Sequence, residues 1–142
     1  MSLPLLTTLL EAEHAAVYGY GVLGARLADE PLTLARSAYD SHRARRDQLV
    51  ARLLERGGDP EPPPPAYEVA VSSPDQALEL AVRLEDGLAV RWRDLVGGTD
   101  DRQLRALGLA GLRECAVRAA RWRRASGVSP ATIALPGTAE PR

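Results

Sequence analysis

Four consecutive prolines, Pro62-Pro63-Pro64-Pro65, with Pro60 just ahead of them, stand near the middle of the sequence, and no helix or central strand can run through them. Each lacks the amide hydrogen that either ladder requires, and together they hold the backbone extended. The chain is thereby split into two halves, each carrying two stretches whose apolar residues recur at helical spacing. The spacing predicts helices over about 3–28, 30–56, 74–96 and 100–126, with an irregular tail over 128–142 packed in part through Ile133 and Leu135.

Start and stop chemistry brackets each stretch. Ser2 is placed to cap the first helix, whose stripe is Leu6, Leu10, Val17 and Leu27, and Pro31 falls in the first turn of the second, which ends at Gly57-Gly58. Ser73-Pro74-Asp75-Gln76 reads as a capping box, and Gly97-Gly98 closes that third helix. Thr99-Asp100-Asp101 puts acids at the start of the fourth, and Arg121, Arg123 and Arg124 put bases at its end, both the favourable sign for the helix dipole.

Connection lengths then select a topology. The first and third links are a few residues long and join antiparallel neighbours, whereas the proline-rich segment 57–73 could span ~50 Å, more than the ~40 Å of a 27-residue helix. Short, long, short is the connectivity of a ferritin-like four-helix bundle with one long Pro-rich crossover between helices 2 and 3. The expected fold class is therefore all-α, with residues 1–142 forming a single domain.

The side-chain palette agrees, because the chain has no Phe and a single Ile, leaving Leu, Val and Ala to build the core. All 18 positive residues are Arg, a pattern suited to GC-rich coding, and they nearly balance 19 acids, for a formal net charge of −1. No global field attracts nucleic acid or an anionic membrane, so neither is expected as a partner. The basic clusters Arg43, Arg45, Arg46 and Arg121, Arg123, Arg124 read as solvated or ion-paired faces. The lone Cys115 excludes an internal disulfide and suits a reducing cytoplasm, and no leader or membrane span is visible.

Each helix sets one polar residue on or beside its apolar face: Glu13, His42, Glu85 and Glu114. Buried charges of this kind must pair with one another, with arginine or with a metal. A ferritin-like dinuclear site uses one Glu from each of two helices and Glu-x-x-His from the other two. Here Tyr39 stands where the second helix would need Glu, and Val117 where the fourth would need His. Arg46 and Arg118, each four residues beyond His42 and Glu114, offer guanidinium groups in place of the metal.

Helix one reads Ala12-Glu13-His14-Ala15-Ala16-Val17-Tyr18-Gly19-Tyr20-Gly21, and helix two contains Ser41-His42-Arg43-Ala44-Arg45-Arg46-Asp47. With the proline-rich middle, these strings resemble a ferritin-like domain family of unknown function common in high-GC actinobacteria. The resemblance implies the ferritin-like fold, a homodimer and no established reaction. In the wider superfamily a Tyr often follows the helix-one ligand Glu by seven residues, as Tyr20 follows Glu13 here.

Three readings compete, the third being small-ligand binding in the bundle core, which would require a sizeable apolar cavity near the Gly-rich faces. In the first, the chain is a non-catalytic structural or interaction module without cofactor, in which a degenerate diiron site has become an ion-pair network including Tyr20, Arg46 and Arg118. In the second, it is an iron- or manganese-binding oxidoreductase or metal-storage protein using Glu13, His42, Glu85 and Glu114. His14, about 100° round the helix from Glu13, is expected at a helix or subunit boundary. Trp92 and Trp122 are expected to close the bundle ends, and Gly19, Gly21, Gly24, Gly108 and Gly111 to mark close helix contacts.

Overall fold

A computed structural model describes residues 2–138 of the chain. Met1 and the last four residues of the expected tail and domain lie outside the described residues. Four α-helices and no strands are present among them: α1 (Leu3–Gly24), α2 (Asp29–Glu55), α3 (Pro74–Gly98) and α4 (Arg102–Ala125). They pack as a four-helix bundle in which α1 touches α2 and α3, α3 touches α4, and α2 meets α4 over only a narrow seam.

The helix ends refine what the sequence suggests. α1 stops at Gly24 rather than near Ala28, because the amides of Ala25, Arg26 and Leu27 turn to carbonyls three residues back, and Ala28 is already extended. Ser2 does not cap α1; its hydroxyl instead lies 2.9 Å from that of the buried Thr99, tying the chain start to the α3–α4 turn. Ser73 accepts from the Gln76 amide, but the Gln76 side chain reaches back to Ser72, so the box is displaced by one residue. Asp101 caps α4 through the amides of Gln103 and Leu104, and its other oxygen takes Arg56 at 2.6 Å.

Close contacts fix the helix directions. The start of α1 meets the end of α2 where Leu3 lies under Gly58, and it meets the end of α3 where Leu5 lies under Gly98; Gly19, near the far end of α1, faces Leu84. α1 is therefore antiparallel to both. The non-helical residues between α2 and α3 begin beside Leu3, while Val71 packs against the cluster that contains Tyr20 and Leu23.

Two apolar clusters fill the bundle. One is leucine-rich, built on Leu6, Leu9, Leu49, Leu53, Leu95 and Leu104 with Trp92; the other is alanine-rich, built on Ala35, Ala38, Ala77 and Ala81 with Tyr20, Leu23 and Trp122. Each buried leucine contributes about 1.5–3 kcal/mol, so the first cluster supplies most of the hydrophobic stabilisation. Trp92 belongs to it because α4 makes room: a Cβ on Gly111 would clash with the indole ring, and one on Gly108 would strike Val96. Gly21 and Gly24 differ from that expectation, having open space beside them.

The tail is held at a different point from the one its sequence suggests. Leu135 is 69 % exposed and Ile133 is 38 % exposed. The anchor is Gly137, buried at a φ of 82° against the Ala89 carbonyl, where a side chain would find neither room nor a relaxed backbone.

Candidate functional site

Between the two apolar clusters lies a layer of charge. Glu13 falls between Leu10 and Tyr20 on α1, His42 between Ala38 and Leu49 on α2, and Glu85 between Ala81 and Leu88 on α3, and all three are buried. Three helices thus interrupt their apolar stripes at the same level, which is how single polar residues in an otherwise leucine and alanine interior find one another.

His42 sits at the centre. Its Nδ1 lies 2.7 Å from Glu13 Oε2 and its Nε2 lies 2.8 Å from Glu85 Oε1. Carboxylates accept only, so both ring nitrogens donate and the ring is an imidazolium. Burial would lower the His42 pKa, but the hydrogen bonds to Glu13 and Glu85 and their charges outweigh it and raise it from 6.5 to about 9.

Glu85 gathers further donors. Tyr20 donates to Oε1 at 2.6 Å, and Trp122 Nε1 donates to the Tyr20 oxygen at 2.8 Å, so a chain of hydrogen bonds runs from indole to phenol to carboxylate to imidazolium to carboxylate. Arg118, on α4, brings Nη1 to 3.3 Å from Glu85 Oε2. Burial works against the Glu85 charge, yet the hydrogen bond and charge of His42, then Arg118 and Tyr20, hold its pKa below the usual range. Arg118 Nη1 is also 3.3 Å from His42 Nε2, an approach of two cations made tolerable by the carboxylate they share. Two carboxylates, one imidazolium and one guanidinium sum to zero charge.

Cys115, one turn before Arg118, is buried against this layer; burial first, then the charges of Glu85 and Glu13, pushes its thiol well above the ordinary range. Glu13 Oε1 is buried with no hydrogen-bond partner among the described residues, so Glu13 engages through one oxygen. Burial and the Glu85 charge likewise keep Tyr20 protonated.

Two sequence assignments need correction. Glu114 does not join the layer: its side chain is 45 % exposed and is held by Arg45 through a fork of 3.0 and 2.5 Å. α4 buries Leu107, Gly108, Gly111, Cys115 and Trp122, which turns Glu114 toward the α2–α4 seam. Arg46 is also outside, paired with neighbouring Asp47. The arginine beside the layer is Arg118, only 12 % exposed, which also lies 3.9 Å from Glu114.

Trp122, expected from its place in the sequence only to close a bundle end, also puts its indole N–H into the network, and it follows Arg118 by one helical turn on the same face. His14 lies off the layer, in a cleft that it lines together with Tyr18, Pro63, Pro64 and Tyr67, on the side of α1 that faces the proline-rich segment; burial lowers its pKa. Among the described residues, no three or more His, Cys, Asp or Glu side chains are placed to hold one metal ion. None of the described helices is long and apolar enough to cross a membrane.

A family model described as a domain of unknown function, DUF4439, matches residues 6–140. A conserved hypothetical protein, rv2844, from Mycobacterium tuberculosis has a crystal structure that superposes with a TM-score of 0.83 at 35 % identity, covering 86 % of this chain and 94 % of that one. No curated protein matches.

Proposed function

We propose that this chain, which belongs to the DUF4439 family, is a ferritin-like structural or interaction module in which fixed side-chain charges stand where a metal would otherwise bind. The observation that carries this reading is the doubly engaged His42, whose two nitrogens each donate to a carboxylate. An imidazolium has no lone pair to offer a metal, and the Arg118 guanidinium supplies the remaining positive charge beside Glu85. Val117, at one of the positions that would complete a dinuclear ligand set, carries no ligating atom, and Tyr39 stands at the other in place of the carboxylate that set uses.

The ferritin-like assignment is supported by the end-to-end contacts. Leu3 against Gly58 and Val71 against the Tyr20 cluster fit a segment 57–73 that crosses from one end of the bundle to the other, as one long crossover requires. A cytoplasmic homodimer is the assembly this reading carries with it.

Elemental mass spectrometry of protein purified without chelator, repeated after anaerobic addition of ferrous iron or manganous ion, tests the proposal. A folded protein with no stoichiometric metal and an unchanged melting temperature is the expected result. Stoichiometric iron or manganese that disappears in Glu13→Gln and His42→Gln would overturn it in favour of a metal-dependent oxidoreductase or storage protein.

A further inference from the structure

Away from the charged layer, α3, α4 and the tail enclose a trough of about 410 Å³, near the lower end of the ~300–1,000 Å³ typical of small-molecule sites. Its walls are apolar: Ala89, Ala116, Val117 and Ala120 from the helices, Ile133 and Pro136 from the tail. Val117, 53 % exposed overall, is shared between this trough and a neighbouring cleft beside Glu114 and Arg118, a large apolar side chain left facing solvent although burial would be favourable. The tail keeps its place as the outer wall through buried Gly137, whose tight seat against Ala89 admits no side chain.

The chemistry changes toward the C-terminal end of α4. Arg121, Arg123 and Arg124 line the trough there, and Asp86 pairs with Arg123 alone. Among the described residues no carboxylate forms an ion pair with Arg121 or Arg124. An alanine-rich channel followed by two guanidiniums that form no ion pair among the described residues matches a molecule with an apolar chain and one anionic head. The volume suits one chain rather than two.

We infer that the trough between α3, α4 and the tail binds a free single-chain fatty acid, its alkyl chain along Ala116, Val117 and Ala120 and its carboxylate on Arg121 and Arg124. Small alanines let the chain approach the helix backbone, and the guanidinium fork suits a carboxylate.

Isothermal titration of the full chain with decanoate, decanol and decyltrimethylammonium, all below micelle-forming concentrations, tests the inference. One saturable decanoate site is expected, with the alcohol and the cation at least about tenfold weaker. Ala120→Trp, which fills the trough, should abolish binding; the surface double variant Arg121→Gln/Arg124→Gln should remove the preference for decanoate over decanol, with folding of both checked by circular dichroism. Equal affinity for all three probes, a response confined to micelles, or undiminished binding by folded Ala120→Trp would overturn the inference. So would sedimentation with phosphatidylglycerol vesicles in the absence of decanoate binding, which would mark the arginines as a membrane-facing surface instead.

Discussion

Raising the pH should unfasten the charged layer through His42. Its pKa is about 9 in the folded chain against 6.5 for an unperturbed imidazole. A raised folded-state value means that the contribution is fully present below pH 6.5 and is lost as pH climbs through about 9. At 1.36 kcal/mol per pH unit, linkage gives a contribution on the order of 2–3 kcal/mol at pH 7, nearly all of it gone by pH 9.5. The chain has no lysine, so few other groups titrate in that interval. Cys115 is the main exception: its thiol ionises near pH 8.5 when unfolded but is held protonated in the fold, which adds a loss of the same sign. Urea denaturation of Cys115→Ala at pH 7 and pH 9.5, alone and combined with His42→Gln, isolates the imidazole. The single variant should lose about 2 kcal/mol over the interval and the double variant almost none. Equal slopes in the two proteins, or a flat profile in the first, would refute the assignment of His42 as a buried imidazolium.

Other expectations follow from the same geometry. Glu13→Gln leaves the layer with one excess positive charge, and denaturation should reveal a loss of about 3–5 kcal/mol, whereas Glu114→Gln, half-exposed, should cost under about 1 kcal/mol. Tyr20→Phe deprives both the Trp122 N–H and Glu85 of a partner, and a loss of about 1–3 kcal/mol should appear in the same assay. Gly111→Ala drives a methyl into Trp92 and should lower stability by about 1–3 kcal/mol, while Gly21→Ala, with open space around it, should raise stability by about 0.5–1 kcal/mol; thermal melts of the pair check the sign. Glu85 has a depressed pKa, so its contribution is present above the ordinary carboxylate range and declines as pH falls through the folded-state value; acid titration of Glu85→Gln should lack part of the wild-type transition.

The four helices were legible because proline, glycine and capping residues punctuate the sequence strongly. Glu13, His42 and Glu85 could be placed inward because leucine or alanine flanks each at helical spacing. Helix α4 was harder. Its stripe passes through Gly108, Gly111 and Cys115, residues that barely signal a buried face, while Ala110 and exposed Val117 suggested a stripe rotated toward Glu114. Arginine partners were the least legible: Arg45 and Arg46 are adjacent in sequence, and only the position of α4 decides that Arg45 meets Glu114 while Arg46 turns aside to Asp47. Long side chains choose partners in space, and sequence spacing constrains that choice weakly.

The placement of charge between two unlike apolar clusters also governs how the helices can move. Sliding α2 by one turn, about 5.4 Å along its axis, would carry His42 into leucine or alanine surroundings and strand Glu13 and Glu85 without a counter-ion. The layer therefore acts as a key that sets the axial register of α1, α2 and α3, a task their interchangeable leucines and alanines perform poorly. Trp92 seated on Gly111 does the same for α3 against α4. With those displacements blocked, the seam left easiest to open is the one between α2 and α4, the narrowest among helices that touch, and opening it would break the forked ion pair of Arg45 and Glu114.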